Sequence, residues 1–240
     1  LMIANAGQNT QVALYNYALG GVEGALGDVI VNEEAGPGGT EAMVARNATT
    51  KRTTYEIKLP MAALGLISLA YGTQFGLGMC INDGDELTPG QKGWGGLGCH
   101  SIVFGKTPSE TALVTLARQN DIEPGKEVYM ANPAPATIVL DGNLSEWTGV
   151  PVLSDPKFYV PKGSGTNNST GTLVLFEEYS GGTWTGPDDQ TSAVQVVYDA
   201  ENIYFGFVVT DDYHENSANS AWNGDSIQLM IANAGQDTQV

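Results

Sequence analysis

Histidine occurs only twice in these 240 residues, at His100 and His214, and cysteine only twice, at Cys80 and Cys99. Neither histidine has a second one at metal-ligand spacing, so a paired-histidine metal centre is excluded. No G-x-S-x-G elbow and no phosphate-binding loop occur, and the isolated serines show no relay, which argues against an enzyme. Basic residues number ten against 27 acidic ones, a formal charge of −17. Nucleic acid and anionic membranes repel such a surface, so neither is expected as a partner. No run of about 18 apolar residues exists, so no membrane span is expected. Cys80 and Cys99 either close a disulfide across their short loop or are two buried thiols.

Glycine, by contrast, is abundant (31 residues), and 42% of the chain is hydrophobic while only 15% is charged. Such a composition suits many tight turns between strands around a packed core. Leu1 to Val12 is repeated as Leu229 to Val240 with eleven of twelve positions identical, Asn9 against Asp237 being the exception. The offset from Leu1 to Leu229 sets a period of 228 residues, so a tandem array is expected, seen in a frame that opens and closes inside a strand. In that reading residues 1–118 are the C-terminal half of one repeat and residues 138–240 the N-terminal half of the next. The proline-rich stretch 119–137, with Asn132-Pro133-Ala134-Pro135-Ala136, is the linker between them.

Strand patterns run through both halves. Val194-Gln195-Val196-Val197-Tyr198 and Ile203 to Val209 flank Asp199-Ala200-Glu201-Asn202, a four-residue hairpin loop. In Ser226 to Ile231, Ile227, Leu229 and Ile231 share one face and Ser226 and Gln228 the other. Tyr55, Ile57 and Leu59 alternate likewise. Phe75-Gly76-Leu77-Gly78-Met79-Cys80-Ile81 alternates bulky residues with small ones, so its glycine face either lies close to another backbone or ligand or marks a bend. Leu173-Val174-Leu175-Phe176 inserts a further short strand. The predicted fold is all-β, an antiparallel, jelly-roll-like β-sandwich with little helix.

Two acidic runs follow strands: Asn82-Asp83-Gly84-Asp85-Glu86 and Asp211-Asp212-Tyr213-His214-Glu215-Asn216. A turn can converge several of their oxygens on one point, which makes Asp83, Asp85, Glu86, Asp211, Asp212 and Glu215 candidate calcium ligands. Solvated loop acids are the competing reading.

The order of the motifs resembles the family-9-like carbohydrate-binding modules, relatives of DOMON-type sandwiches. Asp141-Gly142-Asn143-Leu144-Ser145-Glu146-Trp147 is similar to their opening D-G-x-x-x-E-W. Val197 to Phe207 resembles their W-D-x-x-x-L-Y hairpin, with Tyr198 in place of the usual aromatic. Val208 to Asp212 and Trp222-Asn223-Gly224-Asp225-Ser226-Ile227-Gln228-Leu229 resemble the V-x-D and W-x-x-D-S-V-E-L pieces. Tyr55 to Pro60 and Gly76 to Asp85 resemble the E-x-x-I-P and G-F-x-x-x-x-N-D pieces, provided the chain is read circularly from residue 138.

The resemblance implies a non-catalytic sandwich that binds sugars, often with calcium. Trp94 and Trp222 then match the family's stacking pair, with Asn82, Asn223 and Gln91 able to hydrogen-bond hydroxyls. Alternatively, Trp94 packs against a neighbouring copy and Trp222 caps the core. Two functions follow. One is the repeating unit of an extracellular structural polymer whose partners are neighbouring copies of itself. The other is a polysaccharide-binding module. A glycoside-processing enzyme is a remote third, because 27 acids make any nominated carboxylate pair arbitrary.

Overall fold

A computed structural model describes residues 39–61, 64, 68–85, 88–103, 105, 107–118, 130–152, 173–215 and 221–238, together with short strands at 2–4, 26–28, 31–32 and 159–160. The strands are β1 (Met2–Ala4), β2 (Leu26–Asp28), β3 (Val31–Asn32), β4 (Glu41–Asn47), β5 (Arg52–Pro60), β6 (Gln74–Asp85) and β7 (Thr88–Leu97). They continue with β8 (Ala112–Leu116), β9 (Met130–Pro133), β10 (Tyr159–Val160), β11 (Leu173–Glu178), β12 (Gln190–Tyr198), β13 (Asn202–Asp211) and β14 (Ser226–Ala232). A single turn of α-helix, α1 (His100–Val103), lies among them. The all-β expectation holds. Among the described residues no helix is long and apolar enough to cross a membrane.

Alternation builds two layers. One sheet runs β2-β4-β5-β13-β12, joined at its end by β9. In the other, β6 is long enough to pair with β14 along one edge and with both β7 and β8 along the other. Beyond these lie β11 and β10 on one side and β1 and β3 on the other. The pairs are antiparallel except β10–β11, β8–β9 and β9–β12. Strand β9 pairs with β8 and with β12, so it links the layers at one corner. It also places Met130–Pro133, part of the stretch read as a linker, inside the sandwich.

The core is filled by every second residue. Phe75, Leu77, Met79 and Ile81 of β6 and Ile227, Leu229 and Ile231 of β14 meet Tyr55, Ile57 and Leu59 of β5 and Ile203, Phe205, Phe207 and Val209 of β13. Burial of one such side chain contributes about 1.5–3 kcal/mol. The segments before and after 119–137 supply strands to both layers. Strand β5 pairs with β13 over nine residue pairs, and β6 with β14 over seven. Met2–Ala4, from the first copy of the duplicated segment, pairs with the three residues just before the second copy, Met2 opposite Gln228 and Ala4 opposite Ser226.

The outer faces are covered too, which the alternation in β14 does not show. Behind β6, Cys80, Trp94, Cys99, Ile102, Val174 and Met230 form a second apolar cluster. A Cβ on Gly78 would overlap Ser101 Oγ of α1, so the glycine face of β6 is the surface on which this helical turn rests. Cys80 and Cys99 are not joined. Of the two readings the sequence left open, this is the pair of buried thiols, and the Cys80 thiol donates to Asn82 Oδ1 at 3.2 Å.

On the other outer face, Trp147, Val150, Val197 and Tyr204 form a third cluster. The Asp141-Gly142 turn is held there by Glu56, whose Oε2 accepts the backbone N–H of Asp141 (2.9 Å) and of Gly142 (2.6 Å). Burial pushes the Glu56 carboxyl up to about 7 against the pull of those two donors. The hairpin loop after β12 is closed by Asp199, which accepts the N–H groups of Glu201 (2.8 Å) and Asn202 (2.7 Å).

Candidate functional site

A cleft of about 270 Å³ opens on the outer face of the β6 sheet, lined by Gln91, Trp94, Ile102, Val103, Tyr179, Trp222 and Gln228. The site residues expected from the sequence converge here, although they come from segments more than a hundred residues apart. Trp94 sits on β7, whose outward face meets α1. Trp222 sits on a turn of 3-10 helix, Ala221–Asn223, immediately before β14.

Their roles differ from the expectation. Trp94 is only 1% exposed, so it is not an open plate. Its indole N–H points to Glu177 Oε2 (3.3 Å), and Tyr179 leans over it with ring centroids 4.9 Å apart at 44°. Glu177 also pairs with His100 Nε2 at 2.6 Å, which ties α1 to β11 beneath the cleft. The rings that reach solvent are Trp222, 40% exposed, and Tyr179, 43% exposed. Tyr179 was not singled out in the sequence. Only its position just after the Leu173–Phe176 strand could have marked it.

Asn82 lies behind the cleft as a buried hub. Its Nδ2 donates to Ser226 Oγ (2.9 Å) and to Gln228 Oε1 (3.0 Å), while its Oδ1 accepts from Gln91 Nε2. This orientation fixes both glutamines. Among the described residues, the Gln91 side chain keeps its carbonyl oxygen as a spare acceptor, and Gln228 keeps its amide nitrogen as a spare donor. Asn223 accepts the backbone N–H of Gln91 through Oδ1 (3.1 Å) and so pins the Trp222 turn to β7. Thus Asn82 and Asn223 hold the cleft, whereas Gln91 and Gln228 border it.

The acidic residues follow the opposite face. Asp83 continues the inward row of Met79 and Ile81, Asp211 that of Phe207 and Val209, and Asp225 precedes Ile227 by two. Arg46 extends the inward row of Val44, and all four are buried. Register therefore merges the two acidic runs, His214 of the second included, at one end of the core, and adds Asp225 and Arg46, which the spacing alone did not indicate. His214 Nδ1 lies 3.1 Å from Asp225 Oδ2 and 3.9 Å from Asp211 Oδ2. Arg46 donates to the Asp211 carbonyl (3.0 Å) and its Nη1 is 4.0 Å from Asp211 Oδ2. Asp225 accepts the N–H groups of Gly84 (3.0 Å) and Glu215.

Burial, reinforced by the neighbouring carboxylates, pushes Asp83 and Asp211 well up, and burial pushes Asp225 up. Burial also lowers His214 to about 4, which keeps its ring neutral. Of the remaining expected ligands, Asp212 is exposed, Asp85 and Glu215 are half-buried, and Glu86 lies outside the described residues.

Residues 165–240 match the model of a family described as carbohydrate family 9 binding domain-like. No curated protein and no solved structure matches the chain. The matched stretch carries β11 to β14, and with them Tyr179, Trp222, Gln228 and the Asp211–Asp225 cluster. The family resemblance drawn from the motifs is borne out over this segment. The fold is a β-sandwich, and within it residues 165–240 are similar to the carbohydrate family 9 binding domain-like family.

Proposed function

We propose that this protein is a non-catalytic polysaccharide-binding module acting outside the cell, with the Trp222–Tyr179 cleft as its sugar site. One observation carries the reading: two exposed aromatic rings flank a cleft bordered by one oriented amide acceptor and one oriented amide donor. Sugar rings combine apolar C–H faces with hydroxyls, so they need both kinds of surface. Trp94 is the floor that supports Tyr179, and Asn82 sets the glutamines. The decisive experiment is a glycan array probed with wild-type protein, Trp222→Ala and Tyr179→Ala. Binding to a defined glycan class by wild type, weakened in both variants, supports the reading. Wild-type protein that binds no glycan contradicts it.

A second reading concerns how copies are joined, and the 228-residue repeat supports it. Complementary halves recurring along a longer chain would form a line of sandwiches, a filament, sheath or surface array in which each copy contacts the next. In that arrangement the cleft lends multivalent binding to a structural polymer. Electron microscopy of native material tests it: a regular spacing of one sandwich per repeat is the expected result, and unconnected single particles the contrary one.

A further inference from the structure

Within the sandwich, one end of the core is polar and carries buried carboxyl groups, while the rows of β5, β6, β13 and β14 that lead up to it are apolar. Three carboxyl groups, Asp83, Asp211 and Asp225, face this end, and among the described residues Arg46 is the one inward-facing guanidinium beside them. Asp189 and Asp85 lie near enough to add further negative charge to Asp83. Buried charge of one sign is costly unless something compensates it, and one guanidinium does not balance three carboxylates.

His214 is the second, independent observation. Its side chain is 1% exposed, and neither Nδ1 nor Nε2 has a hydrogen-bond partner. An imidazole in this setting normally donates from one nitrogen and accepts at the other. Here Nδ1 lies within 3.9 Å of two carboxylate oxygens without forming a hydrogen bond to either. The ligand atoms of Asp211, His214 and Asp225 all lie within 4.8 Å of one another. A tetrahedral ion held at about 2.1 Å from each ligand would space them about 3.4 Å apart. The observed separations of 3.1 and 3.9 Å from Nδ1 bracket that value.

We propose that Asp211, His214 and Asp225 bind one divalent cation of the zinc class, which closes this end of the core. The donor set decides the class. Calcium takes six to eight oxygens and has little use for imidazole, whereas mixed imidazole and carboxylate sets suit zinc and its first-row neighbours. A dication also balances the charge: three carboxylates are matched by Arg46 and the ion together. The proposal therefore narrows the calcium expectation to a different ion on a partly different set of residues. It does not depend on what the cleft binds.

The test uses the whole chain. Protein treated with chelator and dialysed is titrated with Zn2+, Mn2+ or Ca2+ while thermal unfolding and bound metal are measured. The expected result is one zinc per chain and a Tm rise of about 5–10 °C at a hundredfold excess over Kd. Co2+ in place of zinc should give visible d–d bands of an ion with nitrogen and oxygen ligands. His214→Asn should abolish the zinc shift, while Asp212→Asn, on the exposed neighbour, should keep it. Wild-type protein that takes up no zinc or cobalt and shows no shift overturns the proposal. So does a calcium shift equal to that of zinc, because it would mean an all-oxygen site; if His214→Asn fails to fold, the wild-type titrations and cobalt spectrum decide alone.

Discussion

Asn82 and Asp83 are consecutive on β6, yet they look into opposite halves of the molecule. Asn82 faces outward into an amide network in which its donors and acceptors find partners in Gln91, Ser226, Gln228 and Cys80. Asp83 faces inward into a group of carboxylates with too few cations. The pleat turns one step along the chain into a change from a satisfied polar hub to an electrostatically unbalanced one. A satisfied hub fixes geometry, here that of the proposed sugar cleft. An unbalanced one invites a counter-ion.

That contrast can be broken in several places. The largest effect expected is at Asn82. Replacing it with Ala leaves the buried amides of Gln91 and Gln228 unmatched, and should cost about 2–3 kcal/mol in urea unfolding. Sugar affinity should fall as well, because the glutamines lose their orientation.

Trp222→Ala comes next. It removes an exposed ring, so stability should stay within about 0.5 kcal/mol while affinity for the bound glycan drops at least about tenfold, roughly 1.4 kcal/mol. Calorimetric titration and thermal unfolding of the same sample separate the two effects.

Glu56 provides a pH signature on the other outer face. Its carboxyl is held at about 7 in the folded chain against an ordinary value of 4.5, so the native state binds its proton more tightly than the unfolded one. This contribution is fully present below pH 4.5 and is lost as pH rises towards 7. Comparing Tm across that window, Glu56→Gln should decline less with pH than wild type. Parallel curves would show that Glu56 is not responsible.

The smallest and oppositely signed effect belongs to Asp83→Asn in metal-free protein. Replacing a buried carboxyl, which burial and its acidic neighbours push towards the protonated form, by the amide of the same shape should leave stability unchanged or raise it by up to about 1 kcal/mol. A loss of several kcal/mol would mean that the carboxylate is already compensated by protein groups.

Much of this arrangement was legible in the chain. Alternation in 53–59, 75–81, 194–209 and 226–231 gave the strands, and those strands gave the two layers. The motif order brought Trp94, Trp222, Asn82, Gln91 and Asn223 into one place, because each motif fixes a position within the sheet. What stayed hidden depends on register between distant segments. No local pattern shows that Tyr179 stands in front of Trp94, since the two meet only when β11 pairs with β7. Nor does spacing reveal that Asp83, Asp211 and Asp225 end inward rows on three different strands. His100–Val103 is too short for a helical period, and the room that Gly78 leaves for Ser101 becomes meaningful only once the helix rests there.

The central claim is that the cleft between Trp222 and Tyr179 recognises carbohydrate. It is tested most directly by isothermal titration of the intact protein with soluble oligosaccharides of the glycan class selected on the array, following Trp fluorescence in parallel. The account predicts saturable binding, a change in the Trp emission, and loss of both in Trp222→Ala. Binding of equal strength in wild type and Trp222→Ala, with emission unchanged, would place the sugar elsewhere and contradict it.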